Sequence, residues 1–234
     1  PDRVVCMTGR THGEGVATID YLESNEKLQL NVNDNLFSPV VLALICQRLD
    51  IHFTYLGTGC IFSYDDEQEI FREDDEPNFF GSNYSIVKGY TDRLMHHTNA
   101  LNIRIRMPIV DHDNPRNFIT KIKNYEKVVN IQNSVTILPV LLPKLKTLIA
   151  QQAIGTFNFT NPGTISHNEV LEMYKELVDN SIEIKNFSIE EQDKILLSKR
   201  SNNHLDTKKL ETYFPDLLNV KNELYLMLSN WKRQ

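Results

Sequence analysis

Cysteine is scarce in this 234-residue chain: there are three, Cys6, Cys46 and Cys60, an odd number with no metal-ligand spacing. That points to free or buried thiols and not to a cysteine-held metal, and it suits a reducing compartment, so the cytoplasm is the expectation. No apolar run is long enough to span a bilayer. Positive charge is in deficit, with 25 Lys and Arg against 31 Asp and Glu. The acidic residues crowd into Asp65–Glu69 and Glu73–Glu76. A net charge of −6 of this kind argues against a nucleic-acid binder or a membrane-surface protein. Internal repeats and low-complexity tracts are absent. So is the glycine turn that cradles phosphates after the first strand of a dinucleotide fold.

What is present is ordinary for a globular chain: 41% hydrophobic and 24% charged residues, enough to bury a core in one domain or one domain plus a small lobe. Residues 3–9 read as a short buried strand, and the glycine-rich loop GRTHGEG follows. SPVVLALICQRL (38–49) reads as a helix begun by Ser-Pro. IHFTYLG is a strand. Phe80-Gly81-Ser82-Asn83 resembles a cap before a helix over 84–97, and NIRIRMPIV is a strand stopping near Pro108. Strands alternating with helices predict a parallel α/β sheet, Rossmann-like and doubly wound.

From about Asn114 the pattern turns helix-rich and proline-interrupted. Helices are expected over 118–128, 141–152, 166–178, 206–214 and 219–231, with a strand at 155–161. The expected division is 1–113 as the sheet domain and 114–234 as mainly a smaller lobe, with some segments returning to the sheet. A buried strand at the very first residues, with no glycine turn before it, gives the further expectation that an N-terminal βαβ portion is missing from this chain.

Two elements carry chemistry. Thr58 and Cys60 sit at a strand's carboxyl end, where open parallel sheets bind ligands. If the chain stays extended through Gly59, both face one side. Taken alone they also read as an ordinary strand end. Tyr84 and Lys88 stand four apart on the next helix, hence one turn apart on one face. An ammonium near a phenol lowers its pKa from about 10 and suits it to proton transfer at a carbonyl oxygen. His96-His97 reads as a solvated helix end, and His12 has no partner spacing.

A Ser/Thr at a strand end followed by Tyr-x-x-x-Lys resembles the extended short-chain dehydrogenase/reductases. Longer strings are more specific: TGCIFSYD, PNFFGSNYSIVKG, RIRMPIV with NPRNFITKI, KVVNIQNSVTIL, GTFNFTNPGTISHNEVLEMYK and RSNNHLD. They are similar to the nucleotide-sugar 3,5-epimerase/4-reductase family of UDP-rhamnose synthesis, related to dTDP-4-dehydrorhamnose reductase. The resemblance runs nearly end to end.

It implies a dinucleotide-binding sheet, NADPH as cofactor, and UDP-4-keto-6-deoxyglucose or its dTDP analogue as substrate. Cys60 and Lys121 would be the epimerising acid/base pair, and Thr58 and Tyr84 would hold O4. Tyr84 would then protonate O4 after reduction, while Lys88 holds the nicotinamide ribose. Thr8 and Gly9, in a turn departing from the family's pattern at three of four positions, and Met107-Pro108 would lie along the cofactor. Asn35 matches an architectural helix asparagine, or else is a helix-start cap. Arg200 would grip the diphosphate, with Arg116 and Asn117 as further substrate candidates. A homodimer through the helices near 38–49 and 84–97, and pairing with a 4,6-dehydratase, are also implied. The rivals are a reductase without epimerase activity and a non-catalytic, reductase-like regulatory subunit.

Overall fold

The computed structural model describes residues 1–66 and 68–231. Glu67 of the acidic run and the last three residues of the second half lie outside them. The central sheet has four parallel strands in the order β1 (Arg3–Cys6), β2 (His52–Thr58), β4 (Leu101–Ile105) and β7 (Gly155–Asn158). Two parallel ribbons lie outside it: β3 (Ile70–Phe71) with β8 (His204–Leu205), and β5 (Pro108–Ile109) with β6 (Thr136–Ile137).

Both faces of the sheet are covered, which is why β2 and β4 read as almost unbroken buried runs. On one face α2 (Ser38–Arg48) and α3 (Asn83–Met95) close over Phe53 and Tyr55, with Ala43, Cys46 and Met95 in the same cluster. On the other, α5 (Leu138–Ala150) and α8 (Lys208–Tyr213) pack Leu141, Leu145, Leu148 and Leu210 onto Leu101, Ile103 and Phe157. Each such leucine stabilises the fold by about 1.5–3 kcal/mol. A separate core is formed by β5, β6, α4 (Phe118–Lys123), α6 (His167–Leu177) and α9 (Val220–Ser229). α7 (Ile189–Ile195) contributes no buried residue.

Several expected boundaries move for physical reasons. The first strand ends at Cys6, not Gly9. Helix starts at Leu28, before the predicted Ser38, as α1 (Leu28–Val32) running through a π-turn, Asn33–Phe37, into α2. Pro39 has no N–H to give to Asn35, so that carbonyl is released and accepts the Thr91 hydroxyl of α3 at 2.7 Å. The helix predicted over 118–128 stops at Lys123, since Val128 bridges to Asn186 in extended form and is buried in the second core. Prolines do not interrupt α5. Pro139 lies in the first turn, where an N–H has no partner, and burial of Leu141, Leu145 and Leu148 carries the helix through Pro143. The strand NIRIRMPIV breaks at Met107, whose φ is +41°, a left-handed residue that stores about 1–3 kcal/mol of strain.

Candidate active site

Beyond the carboxyl ends of β2 and β4 lies a cavity of about 540 Å³ lined by Cys60, Tyr84, Arg106, Met107, Lys121, His167 and Arg200, among others. The elements that reach it come from both halves of the chain. β2 leads into Cys60, β4 into Arg106 and Met107, α3 carries Tyr84, and α4 carries Lys121.

Thr58 and Cys60 come together by a turn and not by strand alternation. β2 ends at Thr58, and the Cys60 backbone N–H donates to Thr58 Oγ1 at 3.1 Å, so the hydroxyl stabilises the bend at Gly59. Thr58 is buried, hydrogen-bonded to Tyr84 and outside the cavity lining. Ser82 caps α3 by accepting from the Ser85 N–H at 3.0 Å, which sets the first turn of the helix and with it Tyr84. The Glu23 carboxylate accepts from the Asn83 N–H at 3.0 Å at the same helix end.

The Lys88 ammonium does not depress the Tyr84 phenol. Burial pushes Tyr84 up, the nearby Cys60 adds to this, and the hydrogen bond with Thr58 opposes it only in part. The reason is where the ammonium goes. Lys88 Nζ donates to the Tyr55 hydroxyl from β2 and lies 4.5 Å from that ring's centroid. Burial pulls Lys88 down to about 8, against the raising influence of Asp92.

Arg106 is fully buried and reaches the Cys60 sulphur: its Nη1 donates to Cys60 Sγ at 3.4 Å and to Ser201 Oγ at 3.0 Å. Its Nη2 donates to Asn133 Oδ1 and to the Ser201 carbonyl. Lys121 is half-buried, and burial together with Arg116 lowers its pKa.

His167, the first residue of α6, lines the cavity and lies edge-on to Phe118 at 5.1 Å. Burial, reinforced by Arg106, pulls its pKa down to about 4, so the ring is neutral at pH 7. Arg200 Nη2 and Nη1 straddle the Asp20 carboxylate at 2.9 and 3.3 Å. Burial pushes Asp20 up, but Arg200, Ser198 and Thr18 together draw it down to about 2. A diphosphate would therefore meet a guanidinium already paired.

Two substrate candidates serve the loops. The Asn117 side chain is buried, accepts from the Val110 and Ile119 N–H groups, and donates to the Val110 and His112 carbonyls. It is an N-cap, not a cavity residue. Arg116 is exposed and donates to His12 Nε2 at 2.8 Å, so His12, unpartnered by spacing, joins the glycine loop to α4. His96 is not a solvated end either, since it contacts Asp92 and Thr156 Oγ1.

The loop after β1 fits a dinucleotide's close approach. Thr8 and Gly9 are exposed, and a Cβ on Gly9 would come within 3.1 Å of Asn35 Oδ1. Asn35 is fully buried in the π-turn and clamps Arg10, accepting its N–H and donating to its carbonyl, both at 2.9 Å. It is thus a clamp and not a helix cap. Met107 and Pro108 are half-buried after β4. Of the residues expected along a nicotinamide nucleotide, Tyr84 and Met107 line the cavity and Lys88 lies buried one helical turn from Tyr84, while Thr8, Gly9 and Pro108 are outside the lining.

Sequence reasoning passed over Arg106 and His167. Arg106 lay inside the quoted RIRMPIV string, where a charge in a buried strand was the available signal. His167 fell inside the helix expected over 166–178, with no spacing to mark it.

No protein-family model matches the chain. Protein L780 of Acanthamoeba polyphaga mimivirus is 49% identical over 240 residues, covering 100% of this chain and 83% of L780. The crystal structure of the L780 UDP-rhamnose synthase from that virus superposes with a TM-score of 0.96, over 98% of this chain and 82% of that one. A bifunctional dTDP-4-dehydrorhamnose 3,5-epimerase/dTDP-4-dehydrorhamnose reductase of Arabidopsis thaliana is 45% identical over 231 residues, 96% of this chain and 75% of the relative. At the level of fold alone, a dTDP-4-dehydrorhamnose reductase from Bacillus anthracis, solved with NADP, superposes with a TM-score of 0.77 at 17% identity, over 97% of this chain and 80% of that one.

Proposed function

The chain belongs to the nucleotide-sugar 3,5-epimerase/4-reductase family, and from that membership we propose that it converts UDP-4-keto-6-deoxy-D-glucose to UDP-L-rhamnose, with NADPH as reductant. One observation carries the reading onto residues: Cys60, Tyr84 and Lys121 line a single cavity at the carboxyl ends of parallel strands.

In the epimerising half, the C4 ketone acidifies the protons on both neighbouring carbons, C3 and C5. Cys60 takes one as a base, the bonding pair moves into the ring bond to C4, and the charge gathers on O4. Tyr84 hydrogen-bonds that oxygen, and Thr58, outside the cavity lining, acts through its hydrogen bond to Tyr84. Lys121, an ammonium loosened by burial, returns a proton on the opposite face. The thiol and the neutral amine then re-equilibrate with solvent, and the same pair serves the second carbon.

In the reducing half, the bound nicotinamide supplies a hydride to C4. Tyr84 donates its phenolic proton to O4, and its burial keeps that proton in place at neutral pH. Lys88 holds the ribose. Arg200 steers the diphosphate from its seat on Asp20.

The same reading extends to assembly. The packed pair α2 and α3 leaves Leu44, Leu49, Tyr90 and Leu94 exposed, which supports a homodimer through these helices. A 4,6-dehydratase is the reaction that supplies a 4-keto-6-deoxy sugar. Among the described residues no helix is long and apolar enough to cross a membrane.

The test is proton exchange. The protein is incubated with UDP-4-keto-6-deoxyglucose in deuterated water without NADPH, and the C3 and C5 protons are followed by NMR. Exchange is expected, and Cys60→Ala should slow it by about 10²–10⁴-fold. Wild-type exchange in Cys60→Ala would sink the assignment of the base. No exchange in protein that still oxidises NADPH with the epimerised ketone would leave a reductase alone.

A further inference from the structure

Arg106 is 1% exposed, and among the described residues no carboxylate lies within ion-pair distance of it. Its hydrogen-bond partners are the Cys60 sulphur, the Ser201 hydroxyl and carbonyl, and the Asn133 amide oxygen. Its Nε, also buried, has no hydrogen-bond partner among the described residues. An uncompensated buried cation is costly, and neutral oxygens relieve only part of that cost. Arg104, two residues earlier and inside β4, makes the contrast: it is equally buried but holds Asp92 in a two-point ion pair. Of the groups bonded to Arg106, Cys60 alone can become an anion at physiological pH.

We propose that Arg106 is a positioning residue that holds Cys60 as the thiolate, the guanidinium–thiolate pair being the charge-balanced state of the site. This deepens the epimerase reading and rests on it for the fate of the proton. Cys60 Sγ, as the anion, forms the S–H bond while the substrate's C–H pair moves toward O4. The positive charge of Arg106 is then left facing a neutral thiol until the proton leaves to solvent. The other ionisable groups around the pair are Tyr84 and Lys88 from α3, Tyr64 beyond β2 and His167 from α6. None of these is a carboxylate. A thiolate beside Tyr84 also disfavours a second anion there, so the charge that serves as base in the first half keeps the acid of the second half loaded.

The experiment compares full-length wild type, Arg106→Met and Arg106→Lys in two assays. Iodoacetamide labelling of Cys60 at pH 7, read on the Cys60 peptide by mass spectrometry, should fall at least about tenfold in Arg106→Met. It should recover substantially in Arg106→Lys, which restores charge without the fork. Substrate C3/C5 exchange should fall in parallel, and by a larger factor than hydride transfer to the epimerised ketone. Equal labelling of wild type and Arg106→Met would overturn the proposal, and so would failure of Arg106→Lys to exceed Arg106→Met. Should Arg106→Met not fold, thiolate ultraviolet absorbance of wild type minus Cys60→Ala at pH 7 decides: an absent difference overturns the pair. Labelling that depends on Arg106 without any substrate exchange would uphold the pair and reject the epimerase reading.

Discussion

Replacing Asp92 by Asn should do more damage than an isosteric change suggests. Asp92 lies in α3 and accepts from Arg104 Nε at 2.9 Å and Nη2 at 2.6 Å, with Asn102 Nδ2 at 2.8 Å and His96 at 3.6 Å. Arg104 is 0% exposed, so the amide would leave a guanidinium buried without its counter-charge. Breaking such a pair from one side costs about 3–5 kcal/mol. Against a total stability of about 5–15 kcal/mol this is a large share. At about 2–4 °C per kcal/mol for a chain of this size, the melting temperature should fall by roughly 6–20 °C. Replacing both partners, as Asp92→Leu with Arg104→Met, should be milder than Asp92→Asn alone, because no charge is left stranded. Urea unfolding and thermal melting followed by circular dichroism at pH 7 measure all three. A loss below about 1 kcal/mol in Asp92→Asn, or a double variant worse than the single one, would refute the reasoning. The change also reaches function. Asp92 stands one turn from Lys88 and opposes the burial that draws Lys88 down to about 8. Without the carboxylate, Lys88 should lose its proton at lower pH, and NADPH affinity should decline from a correspondingly lower pH than in wild type.

Two other outcomes follow from the geometry. Asn35→Ala removes both hydrogen bonds to the Arg10 backbone; it should cost about 1–3 kcal/mol and speed proteolysis within residues 9–15, and unchanged cleavage there would remove its role as clamp. His167 sits at about 4 in the fold against an ordinary 6.5, so the unfolded chain binds the extra proton between these values. Its stabilisation is full above pH 6.5 and lost as pH falls toward 4, by at most about 3 kcal/mol and less because the ring faces the cavity. Unfolding free energies of wild type and His167→Gln should converge accordingly from pH 7 to pH 4, and parallel curves would exclude this.

The sequence by itself determined the layout: alternating strands and helices of the parallel sheet, the Ser82 cap ahead of Tyr84 and Lys88, and the strings around Cys60 and Lys121 that mark the family. These are legible because periodicity, caps and short motifs act over a few residues. What only the tertiary structure decided depends on residues far apart in the chain. Thr58 meets Cys60 through a turn whose hydroxyl acceptor no strand pattern reveals. Lys88 bonds a tyrosine 33 positions away, so burial and not the ammonium governs the Tyr84 phenol. Pro39 releases a carbonyl that Thr91 takes from another helix, and the Asn35 side chain clamps the Arg10 backbone 25 positions away where a cap was an open reading. Arg104 and Arg106 look alike on β4 and just beyond it, yet one faces Asp92 and the other a thiol. Desolvation and charge pairing are summed over all neighbours in space, and the order of residues along the chain does not contain that sum.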